Sequence, residues 1–240
     1  MSDVYPSVTS LPPPPPPPPR SAQTFDFARP FAFVFEDPEW VQKMLLGGIF
    51  MLASVVIVGI FFVYGYFARL VRNVIDGVQY PLPSWDDLGD YFMEGLRLFA
   101  VCMVYLLPMI GLAMMFIFPA MLAEVTNNET FRDASDVMTS CLACVMAPVG
   151  LLLAVWLPAA LLMAVVDRRF GAAFEFGRIW NFLKANAGNY VLAYIAWLVA
   201  RFIVPLGFVL CCIGIVFVLF WSFCVGAYSF GQTYRLSLKR

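Results

Sequence analysis

Four long apolar stretches dominate the chain. Three of them contain 25, 26 and 30 residues without a charge, and the fourth contains 50 residues interrupted only by Arg201. A hydrocarbon core about 30 Å thick requires about 20 helical residues, so each of the first three predicts one membrane span. The fourth is too long for one span and is expected to fold back near Pro205 and Gly207. The pattern therefore predicts five spans, at about 44–67, 98–122, 138–165, 189–207 and 212–232.

The composition supports this interpretation. Of the 240 residues, 62% are hydrophobic and 13% are charged, whereas soluble chains average about 45–50% apolar and about 25% charged residues. A chain of this size cannot bury so much apolar surface within itself. We therefore expect an all-α integral membrane protein with its membrane domain at 43–236. The net charge of −1 gives no electrostatic reason to expect a nucleic-acid partner.

The first 42 residues are not apolar enough to form a span. Residues 1–24 contain eight consecutive prolines, from Pro12 to Pro19, and such a run favours an extended polyproline II rod. We expect a disordered, Pro-rich tail that serves as a spacer or docks into an aromatic groove of a protein partner. Residues 25–42 mix aromatic and charged side chains, which predicts a lead-in segment at the membrane interface.

Two connections between the predicted spans are amphipathic. The first places Trp85, Leu88 and Phe92 on one side of a short helix. The second runs from residue 167 to 188 and repeats Phe176, Ile179, Trp180 and Leu183 at helical spacing. Both patterns are typical of helices that lie on a membrane surface. The order of span, amphipathic helix and span occurs twice, which indicates a weak internal repeat.

The distribution of Lys and Arg predicts the orientation. With five spans, both amphipathic helices and the C-terminus lie on one face, and this face is expected to be cytoplasmic because it holds ten of the 15 basic residues. The N-terminus would then lie outside the plasma membrane, and a sixth span would reverse it. The ten residues are Arg69, Arg72, Arg97, Arg168, Arg169, Arg178, Lys184, Arg235, Lys239 and Arg240.

Basic side chains provide two candidate sites. Arg201 is the only charge well inside an apolar segment, and such a residue either has a function or extends its charge to the interface. The second candidate is a group in the second amphipathic connection that is suited to anionic lipid headgroups, although the positive-inside bias would require the same residues. This group comprises Arg168, Arg169, Arg178 and Lys184.

Other candidate chemistry has a simpler structural interpretation. Asp86, Asp87, Asp90 and Glu94 could bind a hard cation, but a solvated helix face is the interpretation that we favour. Cys141 and Cys144 have CxxC spacing, but apolar neighbours oppose the thiolate that redox or metal chemistry requires. Cys211 and Cys212 have a similar setting. The chain contains no His, and we expect no catalytic residues, cofactor or bound metal.

Several short motifs identify a resemblance to a known family. Asp37-Pro-Glu-Trp40 precedes Gly47-Gly48, and Pro83-Ser-Trp-Asp86 follows Gly65-Tyr66. Phe170-Gly-Ala-Ala-Phe174 and Gly231-Gln-Thr-Tyr-Arg235 lie further along the chain. Together they make residues 25–236 similar to domain of unknown function 4013, an uncharacterised prokaryotic membrane family. The resemblance implies a multi-span membrane protein and no particular activity. Ala227-Tyr228 stands where similar proteins have a His.

These observations leave two main functional hypotheses. The lack of catalytic groups and the proline rod favour a non-enzymatic membrane scaffold or complex subunit. The proline-broken spans and the repeated unit favour a small permease or lipid-handling protein, since transporters are often built from internal repeats. A lipid-modifying enzyme would depend on the acidic cluster or the CxxC pair, and we expect no such activity.

Overall fold

A computed structural model of the chain describes residues 24–126, 129–209 and 214–238, and every regular element in these ranges is helical. The Pro-rich tail, Cys211 and Cys212 lie outside them. Short 3-10 turns occupy Ser54–Val56, Phe170–Phe174 and Val204–Val209. The α-helices are α1 (Arg29–Glu36), α2 (Trp40–Ala53), α3 (Val58–Asp76), α4 (Leu88–Thr126), α5 (Glu129–Asp167), α6 (Phe176–Ala185), α7 (Ala187–Ile203) and α8 (Gly214–Ser237).

Five segments of the described chain are long and apolar enough to cross a membrane. This confirms the prediction of an all-α fold with about five apolar helices, and four of the five predicted spans fall on α4, α5, α7 and α8. The segments are Val58–Asp76, Leu88–Met115, Thr139–Asp167, Ala187–Phe208 and Gly214–Ser237.

The predicted first span, 44–67, is not one helix. The chain breaks between α2 and α3, where Ile57 has a φ of 69°, and α3 folds back against α2. Gly59 makes the close return possible, because a Cβ there would lie 2.1 Å from the carbonyl oxygen of Phe50. Apolar composition predicted a helix here, but it contains no signal for a turn whose residues are themselves apolar.

The segment at 25–42 packs against the bundle and is not simply a surface lead-in. Phe33 and Val34 of α1 are completely buried, and Phe33 lies 4.5 Å from Tyr228 of α8, centroid to centroid. A bend of 109° then separates α1 from α2 and the following turn. At this bend Lys43 Nζ lies 2.8 Å from the buried carboxylate of Asp37, which fixes the start of α2.

The first predicted amphipathic helix is the beginning of α4. Leu88 and Phe92 belong to this 39-residue helix, whereas Trp85 lies in the preceding loop. The Trp85 ring stacks between Phe50 and Tyr66, with centroid distances of 4.7 and 4.4 Å. The loop therefore turns back into the bundle and does not form a separate surface helix.

Glycines bring α3 and α4 into backbone contact. A Cβ on Gly65 would lie 2.0 Å from the carbonyl oxygen of Tyr91, and one on Gly95 would lie 1.6 Å from that of Phe61. Small residues of this kind allow close helix packing in membranes. This crossing brings Tyr64 of α3 next to Cys102 of α4. The Tyr64 hydroxyl oxygen and the Cys102 sulfur are 3.7 Å apart.

The two ends of the described chain meet at one end of the bundle. Thr24 and Phe25 line a cavity of about 700 Å³ together with Arg235 and Leu236 of α8. Five crossings would place the chain ends on opposite faces, with 25–42 on the membrane surface and 44–67 as one span. The structure has three helices in this region, α1, α2 and α3.

Candidate binding cavity around Arg201

Arg201 lies in the last turn of α7, two residues before Ile203, within the apolar segment Ala187–Phe208. Its guanidinium carbon lies 5.2 Å from the centroid of Trp197 and 5.0 Å from that of Phe223. Trp197 is one turn nearer the start of α7, so the side chain extends away from the nearer end of its helix. It does not take the shortest route to the interface.

Arg201 lines a cavity of about 200 Å³ formed by five helices. Tyr64 comes from α3, Cys102 from α4, Pro158 from α5, and Phe223 and Phe230 from α8. Gly226 of α8 permits the packing of this wall, because a Cβ there would lie 2.7 Å from the Trp197 ring. The cavity is mostly apolar and aromatic, with one cation, one hydroxyl and one thiol.

The cation in this cavity has aromatic contacts and no acidic partner among the residues that the structure describes. Arg201 forms no ion pair there. The Cys102 sulfur lies 3.7 Å from the Tyr64 hydroxyl oxygen, and either of these groups can donate to the other. The arrangement therefore offers a guanidinium to an anion that approaches along an apolar wall.

The basic group predicted to hold lipid headgroups divides into two pairs. Arg178 donates to both carboxylate oxygens of Asp167, at 2.5 and 3.0 Å, and also contacts Glu175. Arg169 lies 3.0 Å from Asp167 and 3.6 Å from Glu175. These hydrogen bonds raise the pKa of the Arg178 guanidinium above its usual range. Both arginines therefore serve first to fix the end of α5 against α6.

The other two members of the group are less constrained. The carbonyl oxygen of Arg168 accepts a hydrogen bond from Arg97, at 2.8 Å, and Lys184 Nζ lies 4.8 Å from the Trp180 ring centroid. Within the described ranges, neither side chain forms an ion pair. Their charges are available to an external anion, whereas those of Arg169 and Arg178 are already partly neutralised.

Helix α6 contributes to the core as well as to the surface. Ile179 and Phe182 are buried, whereas Phe176 and Trp180 are exposed. The apolar face expected from sequence is therefore divided between the bundle and the surroundings. Exposed aromatic rings beside Lys184 suit a membrane interface.

The acidic residues at the start of α4 do not converge on a cation. Asp87 lies 3.7 Å from Arg69, and Glu94 is paired with Arg72, while Asp86 and Asp90 are exposed. Among the described residues, no three His, Cys, Asp or Glu side chains are close enough to hold a metal ion. Two of the four carboxylates are therefore paired with arginines of α3.

The CxxC cysteines lie on the outer surface of α5. Cys141 and Cys144 are both exposed free thiols, whereas Leu142 between them is buried. Cys102 and Cys224, by contrast, are buried in the bundle. The CxxC pair is separate from the Arg201 cavity.

Sequence reasoning identified Arg201 but missed its neighbours. Trp197 lies four residues earlier on the same helical face, so its contact could have been predicted from spacing. Tyr64, Cys102 and Phe223 come from other helices, and no local pattern associates them with Arg201.

A second, wholly apolar cavity of about 470 Å³ opens between α2 and α8. Trp40 and Met44 line one wall, and Phe217 and Trp221 line the other. Nothing in this cavity offers a charge to a ligand.

The described architecture is all-helical, and its five segments long and apolar enough to cross a membrane are what a multi-pass helical membrane protein requires. The family model described as "Protein of unknown function (DUF4013)" matches residues 47–219. The chain belongs to this family, as the short motifs indicated. No curated protein and no solved structure matches the chain.

Proposed function

We propose that this protein is a lipid-handling membrane protein that binds the anionic group of an amphiphile at Arg201, without catalysing a reaction. The observation that supports this proposal is the guanidinium inside an aromatic cavity, with no acidic partner in the described chain. A charged side chain inside an apolar segment is costly, and where no carboxylate lies beside it an anion from outside the chain would offset that cost. Phosphate and carboxylate both suit an arginine.

The size of the cavity limits what enters it. Pockets that enclose a drug-sized ligand measure about 300–1,000 Å³, and this one measures about 200 Å³. It therefore accommodates one anionic group and the first part of an apolar chain. The rest of the ligand would lie between the helices and the surrounding lipid.

The location in the cell is part of the same proposal. The excess of Lys and Arg on one face favours a plasma membrane protein with that face in the cytoplasm. The family resemblance suggests a prokaryotic cell. Arg168 and Lys184 would contact headgroups at this face, separately from the cavity.

The experiment compares lipid retention by Arg201→Gln and by a matched variant outside the proposed lipid contacts, Arg69→Gln, whose guanidinium lies 3.7 Å from Asp87. Each protein is purified in detergent and incubated with either phosphatidylglycerol or phosphatidylcholine, and bound lipid is counted by native mass spectrometry. We expect the wild type to retain phosphatidylglycerol preferentially. Arg201→Gln should retain at least tenfold less phosphatidylglycerol than the wild type, and Arg69→Gln should keep most of the retention.

Two results would contradict the proposal. One is equal retention of phosphatidylglycerol by Arg201→Gln and the wild type. The other is an equal loss in both variants, which would assign the effect to general surface charge. Arg201→Lys tests the fold, because it keeps the charge and should retain part of the binding. Each variant must elute as a single species in size-exclusion chromatography.

A scaffold or subunit role is the second candidate, and one observation favours it. Large side chains on the distal parts of α4 and α5 are widely exposed, including Met115, Phe118, Leu151 and Leu152. In a bilayer this surface is available to lipid or to the helices of a partner. A protein that stays bound through the same detergent purification would favour the scaffold role, and repeated recovery of the chain alone would oppose it.

A further inference from the structure

The described N-terminal segment follows the C-terminal half of α8. With the Gln232 amide in its hydrogen-bonding orientation, its oxygen accepts from the N–H of Asp26 at 2.7 Å and its nitrogen donates to the carbonyl oxygen of Asp26 at 3.2 Å. Phe33 lies further along α8, beside Tyr228. The described N-terminal segment therefore begins near the end of α8 and runs toward the beginning of that helix.

Helix α2 continues in the same direction. A Cβ on Gly47 would lie 2.0 Å from the ring of Phe220, and one on Gly48 would lie 2.4 Å from that of Phe217. Between residues 26 and 48, the contact on α8 thus moves from position 232 to position 217. The segment formed by α1 and α2 therefore follows α8 in the opposite direction, although a bend of 109° separates the two helices.

This geometry determines the number of membrane segments. Gly214–Ser237 is itself long and apolar enough to span, so a segment antiparallel to most of it passes through the same depth. Helix α3 then returns, and its Gly77 C-cap lies beside Arg235 at the end of α8. We propose that α1 and α2 form a sixth, broken membrane segment, and that both ends of the chain therefore emerge on the same face.

The turn between α2 and α3 supports this assignment. Val55 and Val56 are exposed, and the turn carries no charge. Its polar groups are largely satisfied within the chain: Ser54 Oγ donates to the carbonyl of Phe50 at 2.9 Å, and the N–H of Ile57 donates to the carbonyl of Ser54 at 3.0 Å. Backbone near lipid requires such internal partners.

The distribution of basic residues is also more asymmetric with six segments. Arg20 and Arg29 join the ten basic residues already assigned to the C-terminal face, Lys43 falls inside the sixth segment, where it is paired with Asp37, and only Arg132 and Arg201 remain elsewhere. This agrees better with the positive-inside rule than the five-span arrangement does. It also places the Pro12 to Pro19 segment in the cytoplasm, where any protein that recognises it must reside.

The test uses the eleventh strand of a split fluorescent protein as a tag, with the remainder of that protein expressed in the cytoplasm. The tag is placed at the N-terminus, at the C-terminus, or between residues 127 and 128 in the connection of α4 and α5. Signals are divided by the amount of full-length protein in the membrane. We expect both terminal tags to fluoresce, and the internal tag to give less than a tenth of their signal.

Different signals from the two terminal tags would overturn the proposal, as would the same signal from all three positions. Labelling of the three tags in intact and permeabilised cells with an impermeant antibody provides a second readout. In that assay the internal tag should be accessible without permeabilisation, and both terminal tags only after it. Access to one terminal tag alone in intact cells would also overturn the proposal.

Discussion

Replacement of Lys43 with Met should destabilise the protein by about 3–5 kcal/mol, because it leaves the buried carboxylate of Asp37 without its cation. The Asp37 side chain is 2% exposed, and Lys43 Nζ lies 2.8 Å from it. Lys43 also donates to the carbonyl oxygen of Leu82, at 3.3 Å. The substitution therefore removes the charge that connects α1, α2 and the loop before α4.

The remaining contacts place the expected loss near the lower end of this range. One oxygen of Asp37 still accepts a hydrogen bond from the N–H of Glu39, at 2.8 Å, so the carboxylate is only partly deprived of partners. A loss of about 3 kcal/mol is nevertheless large against a total stability of about 5–15 kcal/mol. Removal of both charges in Asp37→Asn/Lys43→Met should recover part of it, because no unpaired charge remains.

Reversible unfolding in mixed micelles measures these differences, and Glu39→Gln is the matched control. Glu39 also lies near Lys43, at 3.6 Å, but its side chain is 68% exposed, and an exposed ion pair contributes at most about 1 kcal/mol. The reasoning fails if Lys43→Met and Glu39→Gln agree within 1 kcal/mol. It also fails if the double variant is less stable than Lys43→Met alone.

Two further predictions concern the packing of the bundle. Gly95→Ala should destabilise the protein by about 1–3 kcal/mol, because the added Cβ would overlap the Phe61 carbonyl. Gly89 has open space around it, so Gly89→Ala should be neutral in the same unfolding assay. Arg201→Met should leave the lipid-free protein within about 1 kcal/mol of the wild type, because the cost of a charge in an apolar segment and the stabilisation from two aromatic contacts largely offset each other. Equal unfolding of the two glycine variants, or a difference between Arg201→Met and the wild type well above about 1 kcal/mol, would contradict these estimates.

The sequence predicted the helical class well because that prediction depends only on length and apolar content. Charge-free stretches long enough to span located α4, α5, α7 and α8. The family match over 47–219 agrees with the short motifs. Neither source of information depends on how the helices pack.

The arrangement of the first 80 residues could not be predicted in the same way. Hydropathy measures how apolar a segment is, but not whether the helix continues or turns back. The hydropathy of residues 44–67 therefore gives no sign of the break near Ile57. The aromatic side chains of 25–42 fit an interface as well as they fit a groove on α8. Trp85 likewise resembles an interfacial residue, and only the structure shows its stacking on Tyr66.

The candidate site was predictable in part. Arg201 is conspicuous because it interrupts 50 apolar residues, and Trp197 precedes it by one helical turn. Tyr64 and Cys102 reach the cavity through the glycine-mediated crossing of α3 and α4, which depends on contacts far apart in sequence. The pairing of Arg178 with Asp167 could not be predicted from the sequence either. The positive-inside rule counts basic residues, whether or not a carboxylate neutralises them.

The treatment of charge elsewhere in the bundle gives Arg201 its significance. Lys43 is paired with Asp37, Arg72 with Glu94, and Arg178 with Asp167, while Arg97 donates to the carbonyl oxygen of Arg168. Arg201 contacts two aromatic rings instead and has no carboxylate beside it among the described residues. A desolvated aromatic contact stabilises a cation by about 2 kcal/mol, but it provides no counter-charge. This difference from the paired cations is the reason for placing the proposed anion site at Arg201.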